Sequence, residues 1–247
     1  MFPIRDHNPS GRTPFVTYAL MLLNIGIFLS YVGIMNDVRA INAFYSNWAM
    51  IPARLVHGDG GVTLVASMFL HGGWMHLIGN MLFLWIFGDN IEDEMGHLGF
   101  IVFYVFAGLG ASAIHIVSDP SSQVPVVGAS GAIAGVMGGY ILLFPKAKVD
   151  ILLIFIVFFR IVPIPAWLML ALWFVMQFVG GLFSDPAGDS VAHWAHVGGF
   201  AVGVLLTLPL WLRHGGRRFW TETEGQPPHP DAQYKFSPSR IPKVRRK

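Results

Sequence analysis

The chain has 247 residues, of which 54% are hydrophobic and only 12% are charged, whereas a soluble domain carries about 25% charged residues. This composition excludes an ordinary water-soluble globule, and the absence of cysteine excludes a disulfide framework, a thiolate nucleophile and cysteine-ligated zinc or iron–sulfur sites. Six windows of 23 to 29 residues contain no formal charge: 13–36, 60–88, 95–118, 120–145, 161–184 and 190–212. A helix of about 20 apolar residues crosses a bilayer. The sequence therefore predicts an all-α membrane protein with six transmembrane helices.

Basic residues are concentrated on one side of the predicted bundle. Of the 16 Lys and Arg, 14 lie before helix 1, between helices 4 and 5 or after helix 6, and the other two lie in the long outer loop 36–66. The positive-inside rule then places both termini in the cytoplasm, so the basic tail marks a cytoplasmic end and not a nucleic-acid-binding segment. The predicted parts are a cytoplasmic segment 1–13, a six-helix domain 14–212 and a cytoplasmic tail 213–247.

Three stretches between the windows carry further predictions. The amphipathic part of the outer loop, 42–51, is expected to lie in the membrane interface. The acidic stretch 88–97 is expected to be a cytoplasmic loop. The apolar run 151–159 has only nine residues, too few to cross the membrane, and is expected to lie at the cytoplasmic surface before Pro165 opens helix 5.

The first unusual polar residue in a charge-free window is Ser130. A lone serine in a membrane helix most often donates to a carbonyl of its own helix. Here Gly128 and Gly131 flank it, and Gly131 and Gly135 form a GxxxG pair that allows another helix to approach closely. The two flanking glycines would also leave space for a substrate backbone beside the serine oxygen.

The second is His196, near the outer end of helix 6. A histidine at such a place can simply hydrogen-bond a neighbouring helix, but a second GxxxG pair, Gly199 and Gly203, follows it directly. Two helices with small-residue faces are suited to pack at a short distance, which a hydroxyl and an imidazole need in order to reach 2.6–3.2 Å. Ser130 and His196 are also predicted to lie at similar depths. They are therefore candidates for a nucleophile and its base.

The third group lies on helix 2. His76 and Asn80 are four residues apart, so both project from one helical face, where two donors could stabilise an oxyanion or hold the bundle together by interhelical hydrogen bonds. His71 is expected to lie higher and to line the entrance. Gln177, in helix 5, is a further polar residue in a charge-free window.

Taken together, these motifs resemble the rhomboid family of intramembrane serine proteases. The resemblance rests on GASG at 128–131, on AHVGG at 195–199 with Gly203, and on HxxxxHxxxN at 71–80. It covers all six predicted helices in order, and it implies a six-helix rhomboid-like bundle of the bacterial or archaeal type.

The resemblance also implies residue roles. Ser130 would be the nucleophile, His196 the general base, and His76, Asn80 and the Ser130 backbone N–H the oxyanion hole. Glu92, within a stretch that resembles the family pattern after helix 2, would have a structural role. Some bacterial members carry a tyrosine four residues after the serine, stacked on the histidine; here that position is Ala134, so another group must orient His196. A Trp-Arg pair of the first outer loop in some members is also absent.

The expected function is therefore cleavage of transmembrane segments of other membrane proteins by a Ser130/His196 dyad, without cofactor or metal. No Asp or Glu occurs in either window, so no acidic third member is expected. The expected location is a prokaryotic inner membrane. Other interpretations are a haem or metal protein ligated by His71, His76, His193 and His196, a polytopic transporter, which would lack an intramembrane charge for coupling, and a non-catalytic rhomboid-like chaperone.

Overall fold

A computed structural model describes residues 2–155, 158–183, 191–228 and 230. Its strands are β1 (Phe2–Asp6), β2 (Lys148–Phe155) and β3 (Phe158–Pro165). Its longer helices are α1 (Phe15–Tyr31), α2 (Val38–Trp48), α5 (Trp74–Ser118), α6 (Ser130–Leu143), α7 (Ala166–Phe183) and α8 (His193–Arg213). Short helices are α3 (Pro52–Val56), α4 (Thr63–Ala66) and α9 (Arg217–Thr223), with 3₁₀ turns at Val32–Ile34 and Ser67–Phe69.

Four described helices are long and apolar enough to cross a membrane: Phe15–Ile34, Trp74–Ser118, Ala166–Phe183 and His193–Arg213. The shorter α6 has 14 residues, about 21 Å at 1.5 Å per residue. These helices confirm the predicted helical membrane bundle. The count of six crossings stays a prediction.

The long helix α5 reverses direction at Gly96, whose φ of 70° and ψ of 163° are not helical. A Cβ added to Gly139 of α6 would lie 3.5 Å from Phe103 and 3.6 Å from Ile91. In a straight helix those two residues would be about 18 Å apart along the axis, so the chain must fold back between them. The expected loop 88–97 is thus helical for most of its length, and a single glycine with a positive φ makes the turn.

Glu92, within this stretch, connects α5 to the start of α1. Its buried carboxylate accepts hydrogen bonds from the Val16 and Thr17 backbone N–H groups at 2.8 and 2.7 Å, and from Thr17 Oγ1 at 2.7 Å. A carboxylate there satisfies N–H groups that the first turn of a helix leaves without partners. Glu92 therefore caps α1 and fixes it to α5, which is the structural role that the resemblance implies.

A three-stranded antiparallel sheet, in the order β1, β2, β3, lies beside the helical bundle. The all-α prediction holds for the bundle but did not include this sheet. Of the run 151–159, predicted only to lie at the cytoplasmic surface, residues 151–155 belong to β2 and residues 158–159 to β3, while 156–157 lie outside the described residues. The segment 1–13 supplies β1, and Asp150 of β2 accepts hydrogen bonds from Arg5 at 2.7 Å and His7 at 2.9 Å.

Asp6, at the end of β1, is buried against α6. The Tyr140 hydroxyl donates to its Oδ2 at 2.7 Å, and Asn8 lies 3.5 Å from the same hydroxyl. Burial raises the pKa of the Asp6 carboxyl from 3.8 to about 8, because a buried site disfavours the charged form. The N-terminal strand is therefore docked by a carboxyl group that is neutral below that pH.

Replacement of Asp6 by asparagine should flatten the pH dependence of stability. With a folded pKa of about 8 and an unfolded value of 3.8, the folded chain holds the extra proton between those values, so the contribution of the protonated carboxyl is complete below about pH 4 and is lost as the pH rises through about 8. Asparagine keeps an oxygen for Tyr140 but does not titrate. Between about pH 5 and about pH 8, the unfolding temperature should fall more in the wild type than in Asp6→Asn. An equal fall in both proteins would contradict the raised pKa of Asp6.

Candidate active site

Ser130 is the first residue of α6, and the chain before it is fixed in place. The Gly128 N–H donates to the Ser67 carbonyl at 2.9 Å, and Met50 and Val126 exchange backbone hydrogen bonds. Gly128 has a φ of 135°, a conformation that other residues rarely adopt. A Cβ there would lie 2.8 Å from His76 Nε2 and 3.3 Å from Ser130 Oγ. Gly128 thus keeps open the space between the serine and His76.

Helices α6 and α8 are in direct backbone contact. A methyl group at Gly199 would collide with the Gly131 carbonyl, and one at Gly203 would collide with the Gly135 carbonyl. The two GxxxG pairs therefore face each other. This approach brings His196 Nε2 to 2.7 Å from Ser130 Oγ.

The other ring nitrogen of His196 contacts α7. Its Nδ1 lies 2.8 Å from Oε1 of Gln177, and the Nδ1 of His193 lies 2.9 Å from the same oxygen. The Trp173 ring lies against the His196 ring, with centroids 5.7 Å apart and planes inclined by 36°. In the sequence Gln177 stands out as a polar residue in a charge-free window, but no motif or spacing connects it to His196. Nothing in the sequence distinguishes Trp173 as a site residue.

His76 and Asn80 of α5 face the same space as Ser130. The Gly72 N–H donates to His76 Nδ1 at 3.3 Å, so in a neutral ring the proton lies on Nε2, the atom that faces Gly128 and Ser130. Asn80 is buried, and its Nδ2 has no hydrogen-bond partner among the described residues. The Nε2–H of His76 thus lies near the serine, and Asn80, which lines the same cavity, has an amide donor without a partner among the described residues.

His71 does not line the entrance as expected. Its side chain is fully buried and packs edge-on against His76, with ring centroids 5.2 Å apart. Its backbone is fixed by Tyr31 and Tyr45, whose hydroxyls donate to the His71 carbonyl at 2.8 and 3.2 Å. The prediction was wrong because these contacts hold His71 inside the protein, and it is not among the residues that line the cavity beside Ser130.

A cavity of about 1220 Å³ opens onto these groups. Ser130, His196, His76 and Asn80 line it together with Trp173 and Trp194 of the neighbouring helices. A large apolar cleft with a few convergent polar groups is typical of a binding site. Its size is sufficient for an extended segment of another chain.

A known protein family matches the part of the chain that forms this site. The family model described as "Rhomboid domain" matches residues 59–213, more than half of the chain and the part that includes Ser130 and His196. The chain belongs to the rhomboid family. It is an integral membrane protein, as this membership and its membrane-length helices indicate.

Rhomboid relatives from plants and yeast match most of the chain. Rhomboid-like protein 11, chloroplastic, of Arabidopsis thaliana is 31% identical over 84% of this chain and 69% of its own length. RHOMBOID-like protein 4 of the same plant is 33% identical over 71% of this chain and 41% of its own length. Rhomboid protein 1, mitochondrial, of Saccharomyces cerevisiae is 30% identical over 77% of this chain and 51% of its own length. These relatives are eukaryotic, so a bacterial or archaeal type stays a prediction.

Proposed function

We propose that this rhomboid protein is an intramembrane serine endopeptidase with a Ser130/His196 dyad. The observation that carries the proposal is the 2.7 Å contact between Ser130 Oγ and His196 Nε2, two residues that line one cavity. A hydroxyl at hydrogen-bond distance from an imidazole is the arrangement that activates a serine nucleophile.

The first chemical step follows from this contact. Ser130 Oγ attacks a peptide carbonyl carbon while His196 Nε2 takes the hydroxyl proton, and a tetrahedral intermediate forms. Collapse of the intermediate breaks the C–N bond, and His196 passes its proton to the leaving amine. Water then attacks the acyl-enzyme with His196 again as base, which releases the acid product and regenerates Ser130.

The negative oxygen of the intermediate needs donors. The Nε2–H of His76 lies near the serine, and Asn80, whose Nδ2 has no partner among the described residues, lines the same cavity. The N–H of Ser130 belongs to the first turn of α6, where backbone N–H groups lack an intrahelical partner. Each donor of such a hole contributes about 3 kcal/mol to the transition state. His76, Asn80 and the Ser130 N–H are therefore proposed as the oxyanion hole, and Gly131 and Gly199 as the residues that hold α6 and α8 together.

The substrate is proposed to be a transmembrane segment of another protein, reached from the lipid bilayer. A helix keeps its carbonyls in internal hydrogen bonds, so the segment must unwind before Ser130 can attack, and residues that weaken a helix favour cleavage. Both termini are proposed to be cytoplasmic, in a prokaryotic inner membrane.

The haem or metal interpretation receives no support from the arrangement of the histidines. Within the described ranges no group of three or more His, Asp or Glu side chains has the geometry to hold a metal ion. Both ring nitrogens of His196 already have partners, Nδ1 with the Gln177 oxygen and Nε2 with Ser130 Oγ, so His196 is not available as a haem or metal ligand in this arrangement. The non-catalytic interpretation leaves the contact between Ser130 and His196 without a purpose.

Labelling with a fluorophosphonate tests the proposal without a known substrate. The purified protein should gain one adduct, and peptide mass spectrometry should locate it on Ser130. Ser130→Ala should not react and His196→Ala should react at least about 100-fold more slowly, since the general base contributes about 10²–10⁴. Labelling of Ser130→Ala at the wild-type rate would contradict a serine nucleophile, and a wild type that does not react would favour the non-catalytic interpretation.

A further inference from the structure

We propose that Gln177 is a positioning residue that selects the active tautomer of His196, so that an uncharged amide takes the place of the acidic member of a catalytic triad. The inference rests on the proposed protease function and goes beyond it, since it names the group that orients His196 in a chain that has Ala134 where a stacking tyrosine would be. It also assigns to α7 a part in assembling the dyad.

The Gln177 side-chain oxygen lies within hydrogen-bond distance of two histidine rings. An amide oxygen has two lone pairs and can only accept, and Oε1 of Gln177 lies at 2.8 Å from His196 Nδ1 and 2.9 Å from His193 Nδ1. Both rings must therefore carry their proton on Nδ1. The Nε2 of His196 is then a free lone pair directed at Ser130 Oγ, 2.7 Å away, which is the state that a general base requires.

The opposite tautomer explains why the oxygen matters. With the proton on Nε2, His196 would face Gln177 with one lone pair against another, and it could only donate to Ser130, not deprotonate it. In the known Ser-His-Asp triads the group behind the histidine has the same task, and its replacement by a group that favours the wrong tautomer costs up to about 10⁴-fold in kcat. A neutral amide performs this task without the cost of burying a charge in the membrane.

The packing of α7 on α8 holds the amide in place. A Cβ added to Gly180 would lie 2.6 Å from the His193 ring, and one added to Gly181 would lie 3.0 Å from the Trp194 ring. These two glycines let α8 side chains lie directly against the α7 backbone. Trp173, one turn before Gln177, covers the His196 ring. Trp173, Gln177 and Gly180 are four and three residues apart, so they share one face of α7, and this face packs against His196 and its neighbours on α8.

The site is assembled from three helices. Ser130 and His196 belong to α6 and α8, which are in backbone contact, whereas the group that selects the tautomer belongs to α7. The dyad distance can therefore persist when α7 moves, but the tautomer that makes His196 a base is favoured only while α7 contacts α8.

The experiment compares two substitutions of similar size at one position. Gln177→Met removes the acceptor, and Gln177→Glu keeps an oxygen acceptor whether or not it is ionised. Both are assayed for kcat and KM with a transmembrane reporter, alongside thermal unfolding and fluorophosphonate labelling. Met176→Ala, an exposed α7 residue next to Gln177, is the control for general effects on the helix.

Gln177→Met is expected to lower kcat by about 10- to 100-fold with KM changed less than about twofold, because general-base catalysis is worth about 10²–10⁴ and the wrong tautomer removes only part of it. Gln177→Glu should retain kcat within about threefold of the wild type, as should Met176→Ala. A Gln177→Met protein with wild-type kcat would overturn the inference, as would a folded Gln177→Glu protein with the same defect as Gln177→Met. A wild type that neither cleaves nor labels at Ser130 would instead overturn the proposed function.

Discussion

Cleavage of a transmembrane reporter is expected to fall by at least about 10³-fold when His196 is replaced by alanine. The imidazole is the only ring whose nitrogen lies within hydrogen-bond distance of Ser130 Oγ among the described contacts, so the variant has no group to take the hydroxyl proton. Loss of the base in a serine hydrolase costs about as much as loss of the nucleophile. The measurement is the initial rate of reporter cleavage by the purified variant.

His57→Ala is the matched control for this loss. His57 directly follows the short helix α3 in the outer loop, and its Nδ1 lies 2.6 Å from the Ala53 carbonyl of that helix. It is not among the residues that line the cavity. The control should keep cleavage within about twofold of the wild type. If His196→Ala kept as much activity as His57→Ala, the general base would have to be another residue.

The second large effect is expected on stability. Gly203→Ala should lower the free energy of unfolding by about 3 kcal/mol or more, above the usual range for overpacking, because the new methyl group would collide with the Gly135 carbonyl and not with a side chain that can move. Separation of α6 from α8 would also move His196 away from Ser130. Cleavage is therefore expected to fall together with the thermal stability, which is measured in the same detergent.

Gly26→Ala is the control for this substitution. Gly26 also lies within a helix, α1, but an added Cβ there would meet no atom within 4 Å. Alanine is favoured over glycine in a helix by up to about 1 kcal/mol, so this variant should be as stable as the wild type or more stable. Equal destabilisation by both substitutions would mean that the contact between α6 and α8 does not cause the effect, since helix propensity alone favours alanine at both positions.

The sequence predicted those parts of the structure that depend on spacing along a single helix. His76 and Asn80 share a helical face because they are four residues apart, and the glycine pairs after Ser130 and His196 indicate which faces pack closely. The charge-free windows locate the membrane-spanning regions, although α5 starts at Trp74 and not near residue 60.

Features that depend on contacts between distant segments could not be predicted in the same way. β1 pairs with β2 over a separation of more than 140 residues, and nothing in the composition of 1–13 indicates a strand. The stretch 88–97 looked like a loop because it is acidic, yet Glu92 is buried as the cap of α1.

The group behind His196 is the clearest example at the site. Because Ala134 stands where some bacterial members have a tyrosine, the sequence predicts that another group orients His196, but no spacing rule connects position 134 with a residue on α7. Only the packing of α7 against α8 brings Gln177 to Nδ1 of His196. The same packing explains why Gly180 and Gly181 occur one turn later, since larger residues would displace His193 and Trp194.

The most direct test of the proposed dyad is cleavage of a purified transmembrane reporter by the full chain in liposomes, with the wild type and Ser130→Ala compared at equal concentration. The wild type is expected to release two fragments, and Ser130→Ala, with an unchanged unfolding temperature, is expected to release none. Cleavage by purified Ser130→Ala at the same site and rate as the wild type would contradict the account.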